Sequence, residues 1–268
     1  MPELPEIVSR AGEMNTELRG KTILNLEVLQ PKCLNVPAND FIASLTGAEL
    51  KGTTFHGKWL ITDTSQGWFL LNMGMGGEIL LVTRPTLPEK RRVIMDFTDG
   101  SALSLNFWWF GYAHFMAADC LSEHKMTAML GPNAIDLDVE GLRTLIKGQR
   151  TRLKTFLLDQ SKVAGIGNAY IHDILFLARL HPLRPLPTLS DDEIARLHQG
   201  IHAGLQPSID KGGAFYEVNL YGQKGGFALE DIIIGYKEGQ PCPVCGTTIQ
   251  KIKTGSNSSF ICPSCQVM

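Results

Sequence analysis

The 268-residue chain lacks most of the features that would assign it at a glance. No apolar run approaches the eighteen or so residues that a helical membrane span needs, which excludes an integral membrane protein of that kind. The stretch from Met1 to Arg10 has no basic region leading into an apolar one, so no secretion signal is expected and the cytoplasm is the default location. There is no internal repeat and no low-complexity tract. Charge is sparse, at 19% of residues and a net −2, so bulk electrostatics does not announce a nucleic-acid partner. What is present is an ordinary globular composition, 44% hydrophobic, which argues against extended disorder and allows two or three domains.

The cysteines are few and unevenly placed. Cys33 and Cys120 stand alone and read as buried thiols acting as small hydrophobes. The other four form Cys242-Pro-Val-Cys245 and Cys262-Pro-Ser-Cys265, with 16 residues between the pairs. Two such knuckles supply four thiolates on two tight turns, which suits one tetrahedral Zn2+ in a structural role, no ligand position being left for substrate. Paired disulfides fit poorly without a secretion signal. The intervening residues, Thr247 to Lys253 and Ser259 to Ile261, alternate like two short strands of a zinc-clipped hairpin.

Charge is also local. Arg143, Lys147, Arg150, Arg152 and Lys154 fall in a stretch free of Asp and Glu, and Lys90-Arg91-Arg92 form a second cluster. Such patches can follow a phosphate backbone, although on charge alone they read as a solvated helix face.

The hydrophobic pattern divides the chain. Up to about residue 130 it is strand-like, at 22–29, 68–72, 93–97 and 102–106, with turn signals such as Asp99-Gly100 between. The exception is the opening, where Ile7, Ala11, Met14 and Leu18 recur at helical spacing. One helix and many short strands predict an antiparallel β-sandwich. From about 136 to 220 the pattern predicts helices over 142–158, 169–180 and 190–205, the last opened by a capping box at Ser190 to Glu193. Gly165-Ile-Gly-Asn168 precedes the second of these, where backbone amides and a helix N-terminus can meet an anion.

Taken in order, Met1-Pro-Glu-Leu-Pro-Glu6, His56-Gly-Lys58, Met73-Gly-Met-Gly-Gly77, Leu157 to Gln160 with Ala164 to Asn168, His181-Pro-Leu-Arg184, Lys211-Gly-Gly213 and the paired knuckles form a set. The set resembles the formamidopyrimidine-DNA glycosylase and endonuclease VIII family of base-excision repair enzymes, nearly end to end. The resemblance implies an α+β multi-domain chain: an N-terminal antiparallel β-sandwich over 1–130, a helix–two-turns–helix domain over 131–235 and a zinc-finger β-hairpin over 236–268. DNA would lie in the cleft between. It also implies a monomer that binds damaged double-stranded DNA, with no membrane association, and that is nucleoid-associated when bound.

The N-terminal chemistry that this implies is coherent on its own. Removal of Met1 would leave Pro2 as a secondary amine, and α-amino groups titrate near 7.7–8.0 in short peptides. Such an amine can attack C1′ and displace a damaged base. The product is a permanently cationic iminium that acidifies the C2′ proton and leads to β-elimination. By the resemblance, Glu3 shuttles protons, Glu6 supports it or caps the helix, and Lys58 contacts phosphate and assists protonation. Asp173 stands where the family often has Glu. Arg150, Lys154 and Asn168 would hold the DNA backbone, and Lys90 stands where a DNA-contacting His is common. Met75 and Phe110 would fill the gap left by an everted nucleotide, though without the family both read as core residues.

Two departures bear on function. The family's usual Asp-Pro-Arg-Arg-Phe-Gly reads Asn106-Phe-Trp-Trp-Phe-Gly111, so Trp108 replaces the arginine that would pair with the widowed base. Indole can stack and donate one bond but cannot make the charged bidentate contact, which puts preference for opposite cytosine in doubt. Asn257 replaces an arginine that would grip phosphate and promote δ-elimination. The leading reading is a bifunctional glycosylase and abasic-site lyase for oxidised bases. The alternatives are a specialised relative for other lesions, motivated by Trp108-Trp109 and Asn257, and a catalytically silent damaged-DNA-binding protein.

Overall fold

The computed structural model describes residues 1–108, 110–255 and 257–268; Trp109 and Ser256 lie outside the described residues. The chain forms two compact units. The first takes residues 1–129 and 212–226, the second 130–211 and 227–268. The segment 212–226 therefore belongs with the N-terminal unit and not with the 131–235 block expected from the sequence. The zinc hairpin joins the helices in one unit.

The first unit begins with helix α1 (Leu4–Leu18). It continues through β1 (Ile23–Val28), α2 (Ala38–Leu45), β2 (Leu50–His56), β3 (Trp59–Thr64), β4 (Gly67–Asn72), β5 (Glu78–Thr83), β6 (Val93–Phe97), β7 (Ser101–Asn106) and β8 (Tyr112–Met116). The strands form two antiparallel sheets of four, ordered β1-β6-β7-β5 and β2-β3-β4-β8. The period-2 pattern explains the layering: Val93, Met95 and Phe97, Leu103 and Leu105, and Phe69 and Leu71 all enter one core. Ile7, Ala11, Met14 and Leu18 of α1 bury against the same core, as their spacing predicts. Each of the larger side chains, Ala11 excepted, contributes roughly 1.5–3 kcal/mol on burial. Four strands and α2 had no clear signature, because their outward positions also carry apolar or β-branched residues. Cys33 is buried, whereas Cys120 sits half-exposed in a 3-10 turn at Ala118–Glu123, so the expectation of burial fails there.

The second unit holds α3 (Val139–Ile146), α4 (Leu153–Leu158), α5 (Ile171–Leu177) and α6 (Asp191–Asp210), then the hairpin β9 (Gln250–Thr254) and β10 (Asn257–Ile261). The single helix expected over 142–158 is two helices. Gly148, at φ +77°, takes the left-handed conformation that ends the first of them. The capping box of α6 forms as expected: Glu193 N–H donates to Ser190 Oγ at 3.2 Å, and Ser190 N–H to the Glu193 carboxylate at 2.9 Å. Gly200 and Gly204 lie one turn apart on α6, and a Cβ at either would come within 2.8 Å of Ile174. Their missing side chains let α5 and α6 approach closely. Phe176, Ile234, Ile249 and Phe260 pack with Cys242 and Cys262 to anchor the hairpin. Among the described residues no helix is long and apolar enough to cross a membrane.

Candidate active site and nucleic-acid interface

In the first unit the chemistry gathers at the head of α1. Pro2 and Glu3 are buried. Glu3 is the N-cap, and Pro5 near the first helical position has its φ preset for the helix. Glu6 at N3 completes a capping box, its carboxylate accepting the Glu3 backbone N–H at 2.8 Å. The same carboxylate accepts the Ala214 N–H at 3.1 Å. Glu6 thus fixes the chain that carries Pro2 and Glu3.

A second stripe, Glu6, Arg10, Glu13 and Glu17, runs along α1 beside the apolar one. Its members hold the segment 214–221 in register. The buried Arg10 guanidinium donates to the Val218 carbonyl and to Glu13. Glu13 accepts the Leu220 N–H at 2.9 Å, and Glu17 accepts the Tyr221 hydroxyl at 2.7 Å. The Leu220 carbonyl in turn accepts the Leu81 N–H of β5 at 2.8 Å. This stitching sets Glu217 so that its carboxylate lies 3.7 Å from the N-terminal amine. Burial, outweighing the attraction of the amine, pushes the Glu217 carboxyl up to about 7.

Lys58 sits half-buried on the β2–β3 turn after Gly57. Asn72 holds that turn: its side-chain amide donates to the Lys58 carbonyl at 3.0 Å, and its oxygen accepts the Gly74 N–H at 3.0 Å. One residue therefore ties the Lys58 turn to the loop that presents Met75. Beneath the turn, Trp59 packs on a buried histidine pair, with His114 Nδ1 2.8 Å from His124 Nε2. Burial lowers both histidines, His114 to about 4, so the pair is neutral near pH 7.

Met75, Trp108 and Phe110 are surface residues, 50%, 64% and 68% exposed. The core placement that Met75 and Phe110 would have without the family does not occur. Phe110 adopts φ +55°, a left-handed conformation that costs a non-glycine residue on the order of 1–3 kcal/mol. Trp108 lies against Gly76, and the Lys90 ammonium stands 5.9 Å from the indole centroid. Gln30, Lys32, Arg92, Trp108, Phe110 and Tyr112 line a pocket of about 270 Å3 here.

In the second unit Asn168 is exposed and lines a pocket of about 310 Å3 with His172, Tyr236, Lys251, Asn257 and Ser258. Two residues expected to face the substrate, Lys154 at the DNA backbone and Asp173 among the catalytic groups, turn inward instead. Lys154 is 3% exposed and donates to Ser258 O at 2.7 Å, Ser259 Oγ at 2.9 Å and Thr254 Oγ1 at 3.2 Å. Its three donors are occupied by the hairpin, and burial lowers the ammonium to about 8. In this structure the ammonium clamps the hairpin turn. Asp173, expected among the catalytic groups, accepts the backbone N–H groups of Ile233, Ile234 and Gly235 at 2.7–2.9 Å. Three such bonds make it a strap for the 233–235 segment, its oxygens occupied by backbone amides. Arg143 pairs with Glu140 and Asp191, whereas Arg150 remains exposed.

The four knuckle sulfurs lie within 4.8 Å of one another, three of their separations being 3.4, 3.5 and 3.9 Å. A tetrahedron with Zn–S bonds of about 2.3 Å has edges of about 3.8 Å. Cys242, Cys245, Cys262 and Cys265 fit one zinc ion, which would staple the hairpin and supply no chemistry to a substrate.

Three family models match in succession: the formamidopyrimidine-DNA glycosylase N-terminal domain over residues 1–107, its H2TH domain over 130–219, and the zinc finger found in that glycosylase and in isoleucyl-tRNA synthetase over 239–267. The chain belongs to the formamidopyrimidine-DNA glycosylase family. Among its relatives, the enzyme of Roseiflexus sp. strain RS-1 is 34% identical over 274 residues, covering 99% of this chain and all of that one. That of Edwardsiella ictaluri is 34% identical over 276 residues with the same coverage. A solved structure of the Lactococcus lactis glycosylase with DNA containing N7-benzyl-Fapy-dG superposes with a TM-score of 0.91 at 28% identity, covering 99% of each chain. The same enzyme bound to abasic-site DNA gives 0.90 at 27% identity, covering 98% of this chain and 99% of that one.

Within a formamidopyrimidine-DNA glycosylase fold, three of this chain's site features escaped the sequence reading. Asn72, Arg10 and Glu217 act through contacts between segments far apart in the chain. The only local signal was the spacing of Glu6, Arg10, Glu13 and Glu17, one helical face of charge on a helix whose apolar stripe is already complete.

Proposed function

We propose that the protein is a bifunctional DNA glycosylase and abasic-site lyase that excises oxidised bases from damaged duplex DNA and cuts the strand by β-elimination. The observation that carries this reading is the head of α1, where Pro2 and Glu3 are buried together and locked by the Glu6 cap. With Met1 removed, the Pro2 amine attacks C1′ as the base departs, and the nitrogen lone pair then opens the sugar to an iminium. Glu3 supplies and recovers the protons of base departure and ring opening. Lys58, on its braced turn, contacts the adjacent phosphate, while Met75 and Phe110 fill the space of the everted nucleotide. Asn168, Arg150 and Lys90 bind the DNA backbone, and the zinc hairpin, held by Lys154, presents Asn257 to it.

The test is release of free base from duplexes carrying single oxidised lesions. We expect base release together with a nick ending in the β-elimination product, and little δ-product. Asn257→Arg restores a cation at that position and is expected to raise the δ-product several-fold. Release without any strand nick would refute the lyase half. Trp108 makes a further expectation: excision varies little with the opposite base. Trp108→Arg reintroduces a bidentate donor and should favour cytosine by roughly tenfold, since a good bidentate pair is worth about 1–3 kcal/mol. Excision parameters measured against all four opposite bases decide this. The exposed Trp108 also favours a second reading, preference for bulky adducts, which the same panel detects if oxidised bases are released slowly and adducts quickly.

A further inference from the structure

We propose that Glu217 is the counter-ion of the N-terminal cation, pairing first with the Pro2 ammonium and then with the iminium that replaces it. The inference rests on the reading of Pro2 given above. Its geometric basis is the 3.7 Å separation between the N-terminal amine and Glu217 Oε1, with only 11% of the Glu217 side chain exposed. That amine belongs to Met1, and loss of one residue moves it by no more than about 3.8 Å, the distance between neighbouring residues. The carboxylate stays within charge–charge range of the new terminus.

The placement of Glu217 is built rather than incidental. Glu6 holds Ala214, Arg10 holds Val218 and Glu13 holds Leu220, so the backbone is pinned on both sides of residue 217. The charged groups facing Glu217 are the amine, Glu6 and Arg10. Arg10 is committed to Glu13 and to the Val218 carbonyl, and among the described residues its only ion pair is with Glu13. The terminal amine is therefore the one cation paired with Glu217 among the described residues. An iminium is cationic at every pH. A fixed carboxylate beside it stabilises the intermediate without a proton transfer, and does so strongly where water is scarce.

The charge state of Glu217 has a consequence for pH. Burial raises this carboxyl to about 7, Glu6 adds to the rise, and the amine and Arg10 oppose it. The counter-ion is present above that value and is lost as pH falls through it. Formation of the covalent intermediate should then weaken on the acid side of neutrality for a reason separate from protonation of the amine.

The experiment compares wild type, Glu217→Gln and Glu217→Asp, each confirmed by mass to lack Met1. The first readout is the pKa of the terminal amine, from the pH dependence of its acylation. Removing an opposite charge at this range should lower it by about one unit or more in Glu217→Gln, with Glu217→Asp between. The second is the borohydride-trapped fraction on abasic duplex from pH 6 to 8.5. Wild type should rise through about pH 7, whereas Glu217→Gln should lack that rise and trap about tenfold less at pH 8, the equivalent of one pKa unit. An amine that titrates identically in wild type and Glu217→Gln overturns the proposal. Wild-type protein that traps nothing, with the amine shift present, overturns the lyase reading and the iminium half with it, leaving the ion pair measured.

Discussion

Borohydride treatment of the Met1-free protein on abasic-site duplex is expected to give a covalent complex whose cross-link maps to Pro2. Glu3→Gln should keep DNA affinity while slowing complex formation by about 10²–10⁴-fold, the usual range for a positioned proton donor and acceptor. Pro2→Gly should trap weakly: its primary amine forms an imine that must be protonated before it can withdraw electrons, whereas the proline iminium carries its charge permanently. A variant that retains Met1 has the Pro2 nitrogen in an amide and should trap nothing at that residue. Full trapping by Pro2→Gly and by the Met1-retaining form would move the nucleophile elsewhere, and the buried head of α1 would then be a structural cap alone. Glu6→Gln distinguishes positioning from chemistry. It keeps one acceptor oxygen for the two amides that Glu6 now serves, so its deficit should be smaller than that of Glu3→Gln.

Removal of zinc is expected to have the other large effect. The β9–β10 hairpin is a two-stranded sheet, and such ribbons are marginal in water without further support. Its support is the small cluster around Phe176, Ile234, Ile249 and Phe260, together with the four cysteines. Binding of structural zinc supplies on the order of 10 kcal/mol in small finger peptides. Chelation, or Cys262→Ser at a fully buried ligand, should therefore unfold the hairpin and remove one step from the thermal melt. The damage should extend to Lys154. Losing Thr254, Ser258 and Ser259 removes the three acceptors of its ammonium, and a hydrogen bond to a charged group is worth about 1.5–3 kcal/mol. DNA affinity should fall steeply on chelation and return with added Zn2+. Unchanged affinity and an unchanged melt after complete zinc loss would contradict this account.

Much of the architecture was legible from local pattern. The apolar stripe of α1, strands β1, β4, β6 and β7, the Ser190–Glu193 box and the cysteine knuckles each express a short-range rule. The period of burial, the orphan amides of a helix end and the geometry of zinc are all satisfied within a few residues or by fixed spacing. Boundaries were less legible. Gly148 broke a helix that hydrophobic spacing alone carried through, because periodicity registers which face is buried and not where the backbone turns left-handed.

The direction in which polar side chains face was not legible. The family resemblance offered Lys154 and Asp173 to DNA and to catalysis, yet neutral oxygens of the hairpin solvate one and three backbone amides hold the other. Met75 and Phe110, which read as core when the family resemblance is set aside, are exposed. Asn72, Arg10 and Glu217 were invisible, since Asn72 meets a carbonyl 14 residues away, Arg10 one 208 residues away, and Glu217 the first residue of the chain. Local pattern carried the stripe of α1, half of the strands of the first unit and the four metal ligands, and the family resemblance added Pro2 as the expected nucleophile. Which charges are buried and what they meet emerged with folding, because the cost of burying a charge is set by partners brought together in space and not by neighbours along the chain.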